Sequence, residues 1–331
     1  MALAVSLGDP AGIGPECIVG AWLNREAEKL PAFFVVHGAG VLEAAAKATG
    51  HPVPVTRIDD PADCEQVFGE AMPVLGTHDA PYRPGAPEMP GAELALASLT
   101  EATAMACQKR ADGIVTCPIA KSRLAEVGFS QPGQTEFLAE QCGLRHEDAV
   151  MMLAGPSLRT VPLTIHIALS DVPSQLSTGL ILRRARIVAA ALRRDFGIAK
   201  PRIAVTGLNP HAGEQGRFGD EEAHVIIPAI KRLRGEGMAV TGPHPADALF
   251  APHERAGYDA ALCMYHDQAL IPIKALDFDS GVNVTLGLPI VRTSPDHGTA
   301  FGIAGKGVAR PWATIAAIRM AGECAARRRS A

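Results

Sequence analysis

Along the chain, short unbroken apolar runs alternate with longer segments whose apolar residues recur at helical spacing. The first kind predicts buried strands and the second amphipathic helices; their alternation predicts an α/β architecture with a largely parallel sheet. Residues 3–7, 33–36, 112–116, 149–153, 160–167, 202–207 and 260–264 are the predicted strands. Residues 93–110, 179–196, 221–234 and 313–326 are the predicted helices. His37-Gly38 closes the second strand, Cys117-Pro118 closes the third, and the Pro/Gly-rich stretch 81–91 predicts a long surface connection. No internal repeat or low-complexity segment interrupts this rhythm, and a domain boundary is expected between Ala120 and Ser130.

Length changes the picture first: 331 residues exceed what a single core usually holds, so two domains or one large α/β unit are expected. With 47% hydrophobic and 20% charged residues, wholesale disorder is excluded. The 31 Lys and Arg stand against 35 Asp and Glu, a net charge of -4, which argues against a nucleic-acid partner. The one basic run, Arg327-Arg328-Arg329, reads as a solvated tail. No apolar stretch approaches about 18 residues without a polar break, so no membrane span is expected. The first nine residues lack a basic run, and a cytoplasmic protein without a signal peptide is expected. Seven scattered cysteines with no Cys-x-x-Cys pair predict reduced thiols, neither a disulfide framework nor a Cys-zinc site.

Candidate chemistry collects at the ends of the predicted strands. His166 closes 160–167, His211 follows 202–207, and His266 follows 260–264. The carboxyl ends of strands form the functional edge of open α/β sheets, and three imidazoles converging there suit a divalent transition metal. Asp267 and Asp247 are candidate ligands or supporting carboxylates. A single histidine among eleven is more often a satisfied polar residue; the shared strand-end position sets these three apart. The first loop, Gly8 to Glu16, permits a tight turn into a helix with Pro15 in its first turn. It is neither a phosphate-binding Walker loop nor a dinucleotide fingerprint. In 265–307, Lys274, Asn283 and Arg292 supply two cations and an amide suited to phosphate or carboxylate, and the short-sided polar stretch 293–299 suits close approach of a ligand. Gly133-Gln134-Thr135-Glu136 opens a helix in which Thr135 could cap and free N–H groups could hold an anion.

Taken together, the blocks GDPAGIGPE, GQTEFLAE, MMLAGPSLRTVPLTIH, GLNPHAGEQGRFGDEE and YDAALCMYHDQALIPIKALDFDSGVNVTLGLPIVRTSPDHGTAFGIAGKG resemble the 4-hydroxythreonine-4-phosphate dehydrogenase family of vitamin B6 biosynthesis. The resemblance spans nearly the whole chain and is densest after Met151. It implies an isocitrate/isopropylmalate dehydrogenase-like, two-domain α/β/α sandwich. Residues 1–125 with 302–331 would form the first domain and 126–301 the second, with a cleft between them. It implies a homodimer with a shared site, a divalent metal (zinc first, magnesium or cobalt as alternatives) and NAD or NADP. The family's metal histidines map onto His166, His211 and His266, the last supplied by the second copy. Its substrate contacts map onto Thr135, Lys274, Asn283 and Arg292, with Gln134 beside them. Its nicotinamide cofactor lies along 286–299, through Leu286, Gly287, Thr293, Asp296 and Thr299. One departure stands out: the family usually has His where this chain has Gln134, and Gln cannot become cationic.

The resulting expectation is metal-assisted oxidation of a secondary alcohol, then loss of CO2, with Lys274 or Asp247 relaying protons. The expected substrate is 4-phosphohydroxy-L-threonine and the product 3-amino-2-oxopropyl phosphate. 4-Phospho-threonate, 4-phospho-erythronate and an aromatic cis-dihydrodiol are the alternatives within the resemblance. A metal-dependent hydrolase and a catalytically inactive metabolite-binding protein are the readings from other classes.

Overall fold

The structure, a computed structural model, describes residues 2–330. Twelve strands occur among them: β1 Leu3–Ser6, β2 Phe33–Val36, β3 Val55–Ile58, β4 Met72–Leu75, β5 Ile114–Thr116, β6 Val150–Ala154, β7 Arg159–Pro162, β8 Arg202–Thr206, β9 Ala239–His244, β10 Ala260–Cys263, β11 Val282–Leu286 and β12 Arg292–Pro295. The principal helices are α1 Gly14–Leu23, α2 Ala39–Ala48, α3 Met89–Cys107, α4 Gln134–Gln141, α5 Thr178–Arg194, α6 Ile227–Gly235, α7 His266–Asp277 and α8 Trp312–Ser330. By internal contacts the chain divides into Met1–His146 with Leu288–Ser330, and Glu147–Gly287. This division groups α4 and β12 with the first unit, whereas boundaries at 125 and 302 would group them with the second.

In the first unit the strands run β3-β4-β2-β1-β5-β12, every neighbouring pair parallel. The strands β1, β2, β4 and β5 are buried at every position, as expected of parallel strands covered on both faces. Helix α3 packs on β1, β2 and β5, and α8 packs on β12, β5 and β1. Two strands escape an apolar-run search for identifiable reasons. Edge strand β3 leaves two of its four residues exposed, and β4 carries Pro73. More unusual is β12, Arg-Thr-Ser-Pro, which has no aliphatic run yet is buried throughout. Thr293 donates its hydroxyl to the Ala317 carbonyl of α8 at 2.8 Å, so its polar group is satisfied inside the fold.

In the second unit the order is β11-β6-β7-β10-β8-β9. The pairs β7/β10, β10/β8 and β8/β9 are parallel, while β11/β6 and β6/β7 are antiparallel. The α/β alternation therefore holds, but this sheet is mixed where a largely parallel one was expected. Helix α5 forms because an apolar stripe (Ile181, Leu182, Ala185, Val188, Ala189, Leu192) recurs at helical spacing and is buried. Ser177 caps it by accepting from the Leu180 N–H, and Arg193 and Arg194 in its last turn complement the helix dipole.

Helix α7, inside the segment that drew attention for its polar chemistry, is tied down at both ends. Buried Gln268 accepts from the Thr206 hydroxyl and the Met264 N–H, both at 2.7 Å, and donates to the Gly207 carbonyl at 2.8 Å. At the far end Asp277 accepts from the Ser157 N–H and hydroxyl in the β6–β7 turn. The approach is so close that a Cβ on Gly155 would lie 2.3 Å from an Asp277 oxygen. Pro272 sits within α7, the kind of residue that hides a helix from pattern reading.

Candidate functional site

Strand order explains why the metal-type residues of the second unit gather on one edge. The strands β7, β10, β8 and β9 are consecutive parallel neighbours. The connections leaving their carboxyl ends therefore emerge side by side. His166 follows β7, His266 follows β10, His211 follows β8 and Asp247 follows β9. None of the three histidines lies on a strand. Strand β7 stops at Pro162 and does not run to 167, because the chain turns away to bond the end of β10: the Leu163 N–H donates to the Cys263 carbonyl, and the Thr164 hydroxyl to the Met264 carbonyl. His166 then sits in a bend at φ +54°, and His266 opens α7.

That turn brings His166 and His266 of the same chain together, with ring centroids 5.8 Å apart and planes at 41°. They border a cavity of about 270 Å³ with Thr164, Ile167, Leu169, Val172, Tyr265 and Asp267. Asp267 lies 2.7 Å from His266 Nδ1. A carboxylate on one ring nitrogen fixes an imidazole's tautomer and leaves the other nitrogen free to ligate. The pair and its supporting carboxylate therefore fit a divalent ion held by imidazoles. His211 is exposed on the neighbouring connection. Among the described residues no three His, Cys, Asp or Glu side chains of this chain stand close enough to hold an ion. Asp247 is exposed in the first turn of the short helix Ala246–Leu249, and Lys274 is exposed on α7. Asn283, in β11, has a buried side-chain oxygen that accepts no hydrogen bond within the chain.

The first unit assembles a different chemistry. Arg292 at the start of β12 is 4% exposed. Its Nε and Nη2 donate to the Thr116 hydroxyl at 3.3 and 2.8 Å, and Nη2 donates to Gln134 Oε1 at 3.0 Å. The other end of that amide, Gln134 Nε2, donates to the Cys117 carbonyl at 3.0 Å. Burial pulls the Arg292 guanidinium down to about 10, with Glu136 partly offsetting the shift. Gln134 and Thr135 form the first turn of α4, whose free N–H groups and dipole favour an anion. Gly133 precedes them in extended backbone, and Thr135 is half-buried without capping the helix.

The residues expected to line a nicotinamide cofactor have contrasting environments. Leu286 is buried at the end of β11, and Gly287 follows at φ +88°, where a Cβ would lie 2.0 Å from the Asp148 carbonyl oxygen. Thr293 is fully buried with its hydroxyl committed to Ala317. Asp296 and Thr299 are half-buried in the connection after β12. That connection is fastened to the first loop: the Ile13 N–H donates to the Thr299 carbonyl at 2.9 Å, and the Gly305 N–H to Glu16 Oε1. The loop from Gly8 to Glu16 thus braces the 296–305 stretch, a role invisible to motif matching. Inside it Asp9 is buried, accepts from the Ala11 N–H, and has its carboxyl pushed up by burial.

Comparison with known proteins agrees across sequence and structure. The family model described as "Pyridoxal phosphate biosynthetic protein PdxA" matches residues 29–321. A 4-hydroxythreonine-4-phosphate dehydrogenase of Erythrobacter litoralis is 65% identical over 329 residues, covering 99% of this chain and 98% of that one. The crystal structure of a 4-hydroxythreonine-4-phosphate dehydrogenase from Klebsiella pneumoniae superposes with a TM-score of 0.86 at 37% identity, covering 98% of each chain. A terephthalate 1,2-cis-dihydrodiol dehydrogenase from Burkholderia xenovorans shares the fold more distantly, with a TM-score of 0.65 at 29% identity over 97% of this chain and 98% of that one.

Proposed function

The chain belongs to the family of the pyridoxal phosphate biosynthetic protein PdxA, and from that premise we propose that it is an oxidoreductase that oxidises 4-phosphohydroxy-L-threonine. NAD or NADP accepts the hydride, CO2 is released, and the product is 3-amino-2-oxopropyl phosphate. The observation that carries this reading is the 65% identity, along 99% of the chain, to a relative bearing that substrate's name. The dihydrodiol dehydrogenase stands at 29%, which ranks an aromatic dihydrodiol, like 4-phospho-threonate and 4-phospho-erythronate, behind it.

The residues divide the work by their surroundings. His166, His211 and His266 are the ligands for a divalent cation, zinc first and magnesium or cobalt as alternatives. When bound, such an ion supplies Lewis acidity to the substrate hydroxyl. Asp267 supports His266 in this role from 2.7 Å. Lys274 or Asp247 takes the hydroxyl proton as the hydride leaves the same carbon for the nicotinamide. The carboxylate then departs as CO2, and a proton returns to the carbon it left. Thr135, with Gln134 and the buried cation Arg292, binds an anionic end of the substrate, and Lys274 and Asn283 serve the remainder. Leu286, Gly287, Thr293, Asp296 and Thr299 form the cofactor stretch, with Thr293 acting through its anchorage to α8.

A homodimer is part of the proposal. Exposed Ile167 and Leu169 beside His166, and exposed Ile271 and Phe278 on and after α7, supply apolar surface for a second copy. No helix among the described residues is long and apolar enough to cross a membrane, which fits a cytoplasmic reading without requiring it. The test is NADH production from a panel of the four substrate types, with and without chelator. A preference for 4-phosphohydroxy-L-threonine that chelation abolishes is expected. Product formation without nicotinamide reduction would replace the dehydrogenase reading with a hydrolase.

A further inference from the structure

The connection that presents His211 has a backbone that few sequences adopt. His211, Ala212, Gly213, Glu214 and Gln215 all lie at positive φ (52°, 51°, 80°, 39° and 58°), a run of left-handed turns in which four residues carry a Cβ. Each such residue is disfavoured for an L-amino acid, so the surroundings must impose the conformation. What surrounds it is one carboxylate. Glu222, 4% exposed, accepts from the N–H groups of Leu208 and Asn209, both at 2.8 Å, through Oε1, and from Asn209 Nδ2 at 3.0 Å through Oε2. Asn209 Nδ2 also reaches Glu221 Oε2 at 2.7 Å. The fit leaves no slack: a Cβ on Gly213 would lie 2.6 Å from Glu222 Oε2, and one on Gly207 would lie 2.8 Å from the Ala212 Cα. Glu222 itself begins a single wide π-type turn, Glu222–Ile226, a distortion that recurs at functional sites.

We infer that Glu222 is a positioning residue that holds the left-handed 211–215 turn, and with it His211, in the conformation required for metal ligation. The inference rests on the reading of His211 as a ligand. Its negative charge matters less than its geometry: three donors converge on it from the residues immediately before the turn, so its loss frees the turn to relax toward ordinary right-handed backbone. Glu222→Gln keeps one acceptor oxygen for the two backbone N–H groups but sets an amide donor against Asn209 Nδ2. Glu222→Ala removes all three bonds.

The experiment titrates zinc into the metal-free chain by calorimetry and follows amide exchange in the same samples. Wild type, Glu222→Ala, Glu222→Gln and His211→Ala are compared. Supporting bonds of this kind typically change metal affinity by about 10–100-fold. Glu222→Ala is expected to lose affinity in that range and to expose the Leu208 and Asn209 amides, while the amides of β10 keep their protection. Glu222→Gln should recover part of both, and it carries the test if the alanine variant does not fold. Wild-type zinc affinity in the Glu222 variants, with His211→Ala impaired, overturns the positioning role. Undiminished affinity in His211→Ala overturns the ligand assignment itself, a distinct failure.

Discussion

Replacing Gln134 by Leu tests the way the first unit stabilises a buried cation. The guanidinium of Arg292 is buried, which has drawn it down to about 10, so every acceptor around it matters. Gln134 Oε1 is one such acceptor at 3.0 Å, and Gln134 Nε2 simultaneously donates to the Cys117 carbonyl at 3.0 Å. A hydrogen bond to a charged partner is worth about 1.5–3 kcal/mol and a neutral one about 0.5–1.5 kcal/mol. Leucine at a half-buried position returns about 0.5–1 kcal/mol of apolar burial. The net loss is therefore about 1.5–3.5 kcal/mol, with Arg292 still held by the Thr116 hydroxyl. For a unit of this size each kcal/mol lowers Tm by about 2–4 °C, so a fall of about 3–14 °C is expected. Calorimetric melts of Gln134→Leu, Thr116→Val and the double variant measure it. The two single changes share one guanidinium, so the double variant should deviate from their sum by at least about 0.5 kcal/mol. A Gln134→Leu protein melting within a degree of wild type, with additive singles, would falsify the assignment of Gln134 as a supporting acceptor.

Other outcomes follow from the same chemistry. Burial raises the Asp9 carboxyl above its ordinary 3.8, so the folded state holds that proton more tightly than the unfolded chain. Stability from this group is present at low pH and is lost as pH rises from about 3.8 through the raised value. Urea midpoints should therefore show Asp9→Asn gaining on wild type between pH 3.5 and about 6, and a pH-independent difference refutes the burial argument. Burial pushes the Cys17 and Cys64 thiols up to about 12 and those of Cys117 and Cys263 higher still. Exposed Cys107 should be the first site alkylated in the native chain, read by peptide mass mapping. Early labelling of Cys263 contradicts the packing of β10. Gln268→Leu removes three buried hydrogen bonds that tie α7 to the end of β8. It should cost about 2–4 kcal/mol in unfolding experiments, and a loss under 1 kcal/mol argues that another group holds His266 in place.

Much of the scaffold was legible because parallel strands buried on both faces must be apolar. Residues 3–7, 33–36, 202–207 and 260–264 each match a strand within a residue or two. The strand β12 was not legible for the opposite reason: Arg292, Thr293 and Ser294 are satisfied by Thr116, Gln134 and α8 or by burial in the fold, and hydropathy reports none of this. The end of β7 was misjudged because apolar Leu163 and Ile165 continue the pattern after the backbone has already turned to bond β10.

The sequence by itself determined the α/β alternation, the exclusion of a membrane span among its apolar runs, and the identity of the histidines that follow three strands. It also carried the family, because motif blocks along the whole chain are a stronger signal than any one spacing. Only the tertiary structure decided that β7, β10, β8 and β9 are neighbours, and hence that His166 meets His266 at one edge. It alone revealed that Gln134 serves Arg292, that the first loop braces 296–305, and that Glu222 grips the left-handed turn of His211. The physical reason is one of range. Apolar periodicity records what each segment must bury, a local demand, whereas hydrogen-bond partners separated by 13 to 176 residues, or by 289, are chosen by how the segments pack.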